Sequence, residues 1–344
     1  MKTSEPLVSI VLPAYGVEAL LPKCLDSLCK QTFGNLEIIV VDDGSPDKSG
    51  EVADAWAQTD RRITVIHQKN GGCANARNNG LNASHGDYVI FIDPDDYVSH
   101  DAINVLVGAA VSGDFQLVLC NHDDVWEDGS RPTQQLYKGV DFSEYSNTGF
   151  KLHFPDLLNN SYVCEPWNKL IRRDLLQKSG AYFPEDMFAS DDMFFCFNVF
   201  ACVERTKAIP NVLYHYLHRS ESLTHKFKTT IFDNRLSGYD RVRKIVASWA
   251  PEHLGLLDDL LVADLVDPIC ALYARSGLSS QKKREVGASL VSDPRIKLAA
   301  KEITPQNSIT RISALALRSG SPMVLWLYAV LVSAAKTSKY ILHR

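Results

Sequence analysis

The chain has 344 residues, 45% hydrophobic and 22% charged, the balance of a globular protein with a sizeable core in one large domain plus an extension, or in two domains. Its formal net charge of −5 and pI of about 6.1 exclude a global electrostatic pull toward nucleic acid. None of the eight cysteines forms a C-x-x-C pair and several lie in apolar runs, so a reduced cytosolic thiol set is expected rather than a disulfide framework or a zinc site.

The N-terminal stretch MKTSEPLVSIVLPAYG has no basic region before a strand-length apolar run, so no signal peptide is expected. Strands are predicted at 7–12, 36–41, 63–67, 87–92 and 117–121, each short and rich in Val and Ile, as where both faces of a sheet are covered. Helical stripes separate them. Leu21, Leu25 and Leu28 form one, with Pro22 tolerated in its first turn. Val52 and Trp56 form another after the capping candidates Ser45, Asp47 and Ser49. Ile103, Leu106, Val107 and Ala110 follow Asp101, itself a candidate cap. Alternating strands and helices predict an α/β fold, doubly wound with mostly parallel strands, whose ligands bind beyond the carboxyl ends of those strands. The residues there are Pro13-Ala14-Tyr15-Gly16, Asp42-Asp43-Gly44-Ser45, Gln68 to Gly72, and Asp93-Pro94-Asp95-Asp96.

Residues 126–225 are less regular. They include PWNKLIRRDLL (166–176), an aromatic helix candidate at 191–203, and YHYLHRSESLTH (214–225). From 226 to 310 the pattern is helical, with Leu256, Leu257, Leu260, Leu261 and Leu265 on a stripe. The last segment, 311–344, holds the apolar run Met323 to Val332, too short to cross a bilayer. Arg311, Arg318, Lys336, Lys339 and Arg344 flank that run, and Trp326 and Tyr328 suit a headgroup boundary. An interfacial helix on an anionic membrane is the expectation, and a helix packed on the main domain or in a homo-oligomer contact is the other reading.

Asp93, Asp95 and Asp96 at a strand end repel one another unless a positive charge sits among them. A divalent cation of the Mg²⁺ or Mn²⁺ type chooses carboxylate oxygen, and D-x-D spacing brings Asp93 and Asp95 within reach of one ion. Such an ion takes one or two carboxylates plus substrate phosphates, so the metal reading implies a phosphorylated ligand. Asp42 or Asp43 can accept from a ribose hydroxyl or base N–H, or serve as a turn and N-cap. Gly71 and Gly72 open a helix carrying Arg77, an arrangement suited to an anion.

Together, VSIVLPAYG, IIVVDDGSPDKSG and QKNGGCANARNNGLNASHGDYVIFIDPDD, spanning residues 8–96 almost continuously, resemble the nucleotide-sugar half of family-2 glycosyltransferases with the GT-A fold. The later segments PWNKLIRRDLL and YHYLHRSESLTH resemble bacterial members that build surface polysaccharides such as capsule and exopolysaccharide. The resemblance implies a Rossmann-like GT-A sheet flanked by helices. It places the nucleotide-sugar half at 1–125, an acceptor-side half with the catalytic base at 126–225, and a helical C-terminal extension at 226–344. Pro13, Ala14 and Tyr15 would line the nucleotide pocket, Asp42 or Asp43 would contact a base, uracil, and Gly72 and Arg77 would lie near the nucleotide. Asp93 and Asp95, flanking Pro94, would bind Mn²⁺ or Mg²⁺.

Transfer would proceed with inversion from a UDP-sugar to a hydroxyl of a glycan or polyprenyl-diphosphate-linked acceptor. With the apolar, cation-flanked tail, the enzyme would be cytoplasmic, peripheral on the inner membrane face. The family's base is the Asp of a Glu-Asp pair, which here reads Ser190-Asp191. Asp191 is therefore the base and Asp192 the register alternative, with Phe188, Phe194 and Phe195 as an aromatic wall that raises its pKa. Arg219 would reach the phosphates, with His215 and His218 assisting. Ser190 in place of Glu leaves a second expectation, a catalytically degenerate relative serving as partner or scaffold of another transferase. A sugar nucleotidyltransferase would need a basic, Gly-rich triphosphate loop that PAYGVEALL lacks.

Overall fold

The first strand, β1 (Val8–Ala14), is buried at every position, as an unbroken apolar run requires of a strand covered on both faces. It is followed by α1 (Leu21–Cys29), β2 (Leu36–Asp42), α2 (Ser49–Thr59), β3 (Ile63–His67), α3 (Cys73–Ala83) and β4 (Tyr88–Phe91). These belong to a computed structural model that describes residues 5–126, 134–135, 143–159, 164–187, 189–218, 227–274, 276–302 and 308–342. The four strands pair in parallel in the order β3-β2-β1-β4, with Ala14 beside Asp42 and Asp42 beside His67. Their carboxyl ends therefore share one rim. Helix α3 lies so close on β1 that a side chain at Gly80 would strike Val11.

The chain continues through β5 (Tyr97–Val98), α4 (Ala102–Ser112), β6 (Leu117–Trp126), β7 (Gln134–Gln135), β8 (Glu144–Ser146) and α5 (Asn147–Asn159). Then come β9 (Lys169–Arg172), α6 (Arg173–Ser179), α7 (Asp191–Cys202) and β10 (Arg205–His218). β9 is antiparallel to both β4 and β6, so those two strands run the same way, and β10 is parallel to β6. The carboxyl ends of β6 and β10 thus join the rim set by β1 to β4. The sheet is mixed, but its antiparallel pairings span only two or three registered residues each.

Three local expectations are corrected. β6 runs on past Asn121 to Trp126, which brings Asp123 and Asp124 to the rim. Helix α2 begins at Ser49, and neither Ser45 nor Asp47 caps it: Asp47 accepts from the Ser49 and Glu18 amides at 3.0 and 3.1 Å, and Ser45 Oγ accepts from the Gly16 amide at 3.3 Å. Asp101 holds the N-cap position of α4 without a side-chain capping bond.

Residues 1–220 form one compact unit and 221–344 a second. The second contains α8 (Thr230–Trp249), α9 (Leu254–Ala274), α10 (Ser280–Ser292), α11 (Pro294–Glu302), α12 (Ser308–Arg318) and α13 (Pro322–Leu342). On α9, Leu257, Leu261 and Leu265 are buried and Leu256 and Leu260 half-buried, as their spacing predicts. The final segment is two helices broken at Gly320, whose φ of +64° suits glycine. Tyr328 is buried against Ser313, its hydroxyl 2.5 Å from Ser313 Oγ, so it faces the interior and not a headgroup boundary. Among the described residues no helix is long and apolar enough to cross a membrane.

Candidate active site

The positive charge that the acidic strand end requires is Arg77. Its side chain, 5% exposed, reaches from α3 to three carboxylates: Nη2 donates to Asp93 Oδ1 at 2.9 Å, Nη1 donates to Asp192 Oδ1 at 2.5 Å, and Nη1 lies 3.8 Å from Asp191 Oδ2. Its guanidinium also lies over the Phe183 ring, 5.2 Å from the centroid, and that ring stacks on Phe195 at 4.2 Å. Burial alone would oppose the charge on Arg77, but Asp192, Cys73, Asp93 and Asp191 outweigh it and hold the group protonated.

Asp191 and Asp192 open α7, where the helix dipole favours carboxylates. Ser190 before them adopts φ +71°, a left-handed conformation that costs an ordinary residue about 1 kcal/mol and aims the helix start at Arg77. Burial pushes the Asp191 carboxyl above its usual range, with Arg77 acting the other way, and the direction is the same for Asp192. Of the expected aromatic wall, Phe195 is buried against Phe91 and Phe183, and Phe194 packs edge-on to Tyr182. Phe188 lies outside the described residues.

Asp93 and Asp95 are half-buried and Pro94 is buried. Asp96 differs from them. It is 2% exposed, takes a hydrogen bond from Tyr214 Oη at 2.5 Å and another from the Leu217 amide at 2.7 Å. Burial, then the charges of Asp95 and Asp93, push its pKa well up, and both charges also raise Tyr214 and Tyr216. Among the described residues, Arg77 is the arginine buried at this rim, and it meets Asp93 rather than Asp96. Among the described residues no three His, Cys, Asp or Glu side chains form a self-sufficient metal cage. Asp93 and Asp95, two hard carboxylates flanking Pro94 at the strand end, fit an ion completed by substrate phosphates.

On the other side of the rim, Asp43 ties down the loop after β3. Its Oδ1 accepts from Gln68 Nε2 and the Gly71 amide, both at 2.7 Å, and its Oδ2 accepts from the Gly72 amide at 2.8 Å. Both glycine amides thus point inward to Asp43. Asp42 takes the Ser45 amide at 3.1 Å and pairs with His67 Nδ1 at 3.0 Å. Gly44, at φ +66°, has no room for a Cβ, which would lie 2.9 Å from the Asn70 amide nitrogen. Pro13 and Ala14 are buried at the end of β1, whereas Tyr15 is 40% exposed beside this loop pair.

His215 and His218 end β10, each with a ring face and a carboxylate engaged. His215 stacks on Tyr97 at 4.6 Å, with Nδ1 2.6 Å from Asp123 and Nε2 2.9 Å from Ser99 Oγ. His218 stacks on Trp126 at 4.7 Å and lies 2.9 Å from Asp124. Arg219 lies outside the described residues. Sequence reasoning missed Tyr214, Trp167 and the Asp123-Asp124 pair. Trp167 stacks on Tyr214 at 4.2 Å and meets His122 edge-on at 4.6 Å, and burial followed by Lys169 and His218 lowers the His122 pKa to about 4. The only local signal was the return of the strand formers Val125 and Trp126 after the polar run Asn121 to Asp124.

Comparison with known proteins bears on this geometry. A model of the family described as Glycosyl transferase family 2 matches residues 9–180. The chain is 36% identical over 222 residues to a glycosyltransferase of Bacillus subtilis (strain 168) designated EpsJ, covering 64% of this chain and 63% of that protein. It is 27% identical over 220 residues to the poly(ribitol-phosphate) beta-N-acetylglucosaminyltransferase TarS of Staphylococcus aureus (strain MW2), covering 62% of this chain and 36% of TarS. The match thus spans less than two thirds of either relative. The structure of S. aureus TarS 1–349 in complex with UDP-GlcNAc shares the fold, with TM-score 0.69, 17% identity, and coverage of 96% of this chain and 92% of that one. The mannosyltransferase PcManGT of Pyrobaculum calidifontis, in complex with GDP-Man and Mn²⁺, superposes with TM-score 0.53 at 18% identity, covering 92% of this chain and 88% of that one. The GT-A architecture expected from the sequence is the one observed.

Proposed function

The chain belongs to glycosyl transferase family 2, and on that premise we propose that it is an inverting, metal-dependent transferase moving a sugar from a UDP-sugar to a glycan hydroxyl. Arg77 is the observation that carries this reading. One buried cation links Asp93, the donor-side carboxylate, to Asp191 and Asp192 at the start of α7. Residues 1–125 then serve the donor and 126–225 the acceptor. Pro13, Ala14, Tyr15, Asp42, Asp43 and Gly72 form the nucleoside side of the pocket, with the exposed Tyr15 ring as its open edge.

Asp93 and Asp95 would hold Mn²⁺ or Mg²⁺ together with the donor diphosphate; when bound, the ion supplies a Lewis acid that stabilises the departing nucleoside diphosphate. The acceptor oxygen attacks the anomeric carbon as the bond from that carbon to the diphosphate oxygen breaks, and the hydroxyl proton passes to the Asp191 carboxylate. Burial suits Asp191 to this role because it raises the proton affinity of the carboxylate. Arg77, bonded to Asp192 and Asp93 and 3.8 Å from Asp191, holds the start of α7 beside the donor-side carboxylate.

A role for TarS on poly(ribitol-phosphate) and complexes of such folds with UDP-GlcNAc and with Mn²⁺ support a surface-polymer acceptor, a UDP donor and a metal. The acceptor is a glycan, free or polyprenyl-diphosphate-linked, at the cytoplasmic membrane face. A panel of nucleotide-sugars scored by thermal stabilisation, with and without Mn²⁺, tests the donor and the ion together. Turnover of Asp191→Asn is expected to fall by about 10²–10⁴ with donor stabilisation retained. Full turnover in that variant alongside a lost rate in Asp192→Asn would move the base by one residue; loss in neither would end the proposal.

A further inference from the structure

The outward face of α13 is apolar throughout its described side chains. Met323, Leu327, Val330 and Leu331 follow one another at i, i+4, i+7 and i+8, a single helical stripe, and are 73%, 50%, 42% and 61% exposed. Trp326 beside them is 48% exposed. On α12, Ile312 and Leu315 are likewise 51% and 57% exposed. The stripe is not left over from a loosely packed helix, because the opposite face is fully used: Leu325, Tyr328 and Ala329 are buried, as are Ser313, Ala314 and Leu317 on α12. Two helices that each bury one side completely and expose large apolar groups on the other require something to cover them.

Charge identifies the cover. From residue 308 to 344 the sequence holds Arg311, Arg318, Lys336, Lys339 and Arg344 and no Asp or Glu. The whole chain carries −5 and this segment +5, so residues 1–307 carry −10. Arg311, next to Ile312, and Arg318, one turn after Leu315, are exposed, and the Arg318 guanidinium also donates to the Ala300 and Lys301 carbonyls. A second copy of the chain would set two all-cationic segments against each other. An acidic lipid surface matches the cations and takes the apolar face at the same time. No described helix is long and apolar enough to span, so the arrangement lies on a bilayer and does not cross it.

We propose that the exposed face of α12 and α13 is a docking surface for an anionic lipid bilayer, with the Met323–Leu331 stripe entering the headgroup and acyl boundary and Arg311 and Arg318 facing the phosphates. This goes beyond the transferase reading and does not rest on it; donor binding and lipid binding are measured separately, so either can fail alone.

The test uses the full chain in vesicle co-sedimentation, with phosphatidylcholine alone and with phosphatidylcholine containing phosphatidylglycerol. Binding is expected to the anionic vesicles, weakened by salt, with each cation near the surface worth about fivefold. Leu327→Glu/Leu331→Glu should weaken it by roughly tenfold or more, while Val111→Glu, at an exposed apolar position of the first unit, should not. Thermal unfolding checks that the double variant is folded. If it is not, the blue shift of tryptophan emission on adding anionic vesicles, lost in Trp326→Phe, decides the matter in the otherwise native chain. Absence of binding to anionic vesicles, undiminished binding by the folded double variant, an emission shift that survives Trp326→Phe, or a dimer in light scattering that the double substitution dissociates would each overturn the proposal.

Discussion

Replacing Arg77 by Met removes the side chain that meets Asp93, Asp191 and Asp192 together. Arg77 is 5% exposed and Asp191 13%, whereas Asp93 and Asp192 are 22% and 35% exposed, so water already shares part of their charge. Breaking a buried pair by deleting one partner costs about 3–5 kcal/mol, because the charge left behind is uncompensated. The partial exposure of Asp93 and Asp192 argues for the lower end, about 3 kcal/mol. For a unit of this size each kcal/mol shifts the unfolding midpoint by about 2–4 °C, so Arg77→Met should unfold about 6–12 °C lower in differential scanning calorimetry. The cost is assigned to stranded charge and not to lost volume, since Met fills much of the space over Phe183. Adding Asp93→Asn and Asp192→Asn to Arg77→Met should therefore recover part of the loss. A triple variant less stable than Arg77→Met, or an Arg77→Met protein as stable as the original, would refute the argument.

Tyr214→Phe leaves Asp96 Oδ2 buried without its 2.5 Å donor and should cost about 1–3 kcal/mol in urea unfolding. Glu37 is a pH probe remote from the rim: burial alone would raise its pKa, but hydrogen bonds from Ser9, His85 and Gly86 hold it below its ordinary value. A carboxylate depressed in the folded state stabilises above its unfolded pKa and loses that stabilisation as pH falls through the folded value. The stability gap between the native chain and Glu37→Gln, about 1 kcal/mol at neutral pH, should therefore shrink on acidification below about pH 4 in thermal melts.

How far the sequence discloses this molecule follows from the range of each interaction. β1, β2 and β4 were legible because burial on both faces writes itself as contiguous apolar residues, and α1, α2 and α4 because a one-sided core writes itself at helical spacing. β6 was read five residues short because Asn121, Asp123 and Asp124 are poor strand formers that rim contacts with β10 hold in place. Arg77 was legible as a cation on the helix that opens behind Gly72. That it would meet Asp192, 115 residues on, was not visible, because no local pattern encodes a contact of that separation. The same holds for Asp96 and Tyr214, 118 residues apart, which divide one acidic run into a buried structural carboxyl and two rim carboxylates.

That division makes the metal reading quantitative. A nucleoside diphosphate is itself anionic, and it would enter a rim where burial, with the charges of Asp93 and Asp95 added to it, pushes up the proton affinity of Asp96, Tyr214 and Tyr216. Arg77 already meets Asp93, Asp191 and Asp192, so on the proposed reading the charge of Asp95 opposes a bare diphosphate until a divalent ion joins it. Two unit charges 4 Å apart interact by about 1 kcal/mol in water and about 4 at a protein surface, and half-buried Asp95 lies between those limits. Neutralising it in Asp95→Asn should thus have opposite effects in the two conditions. Metal-free UDP binding, measured by calorimetry, should tighten by about fivefold or more, because one repulsive charge is gone. Addition of Mn²⁺ should then help little, because one of its two carboxylates is gone. Were Asp95 a mere turn residue, the variant would track the native chain with and without the ion; were it a direct donor contact, metal-free binding would weaken. Only a carboxylate that repels the diphosphate alone and receives it through a cation gives the crossed pattern.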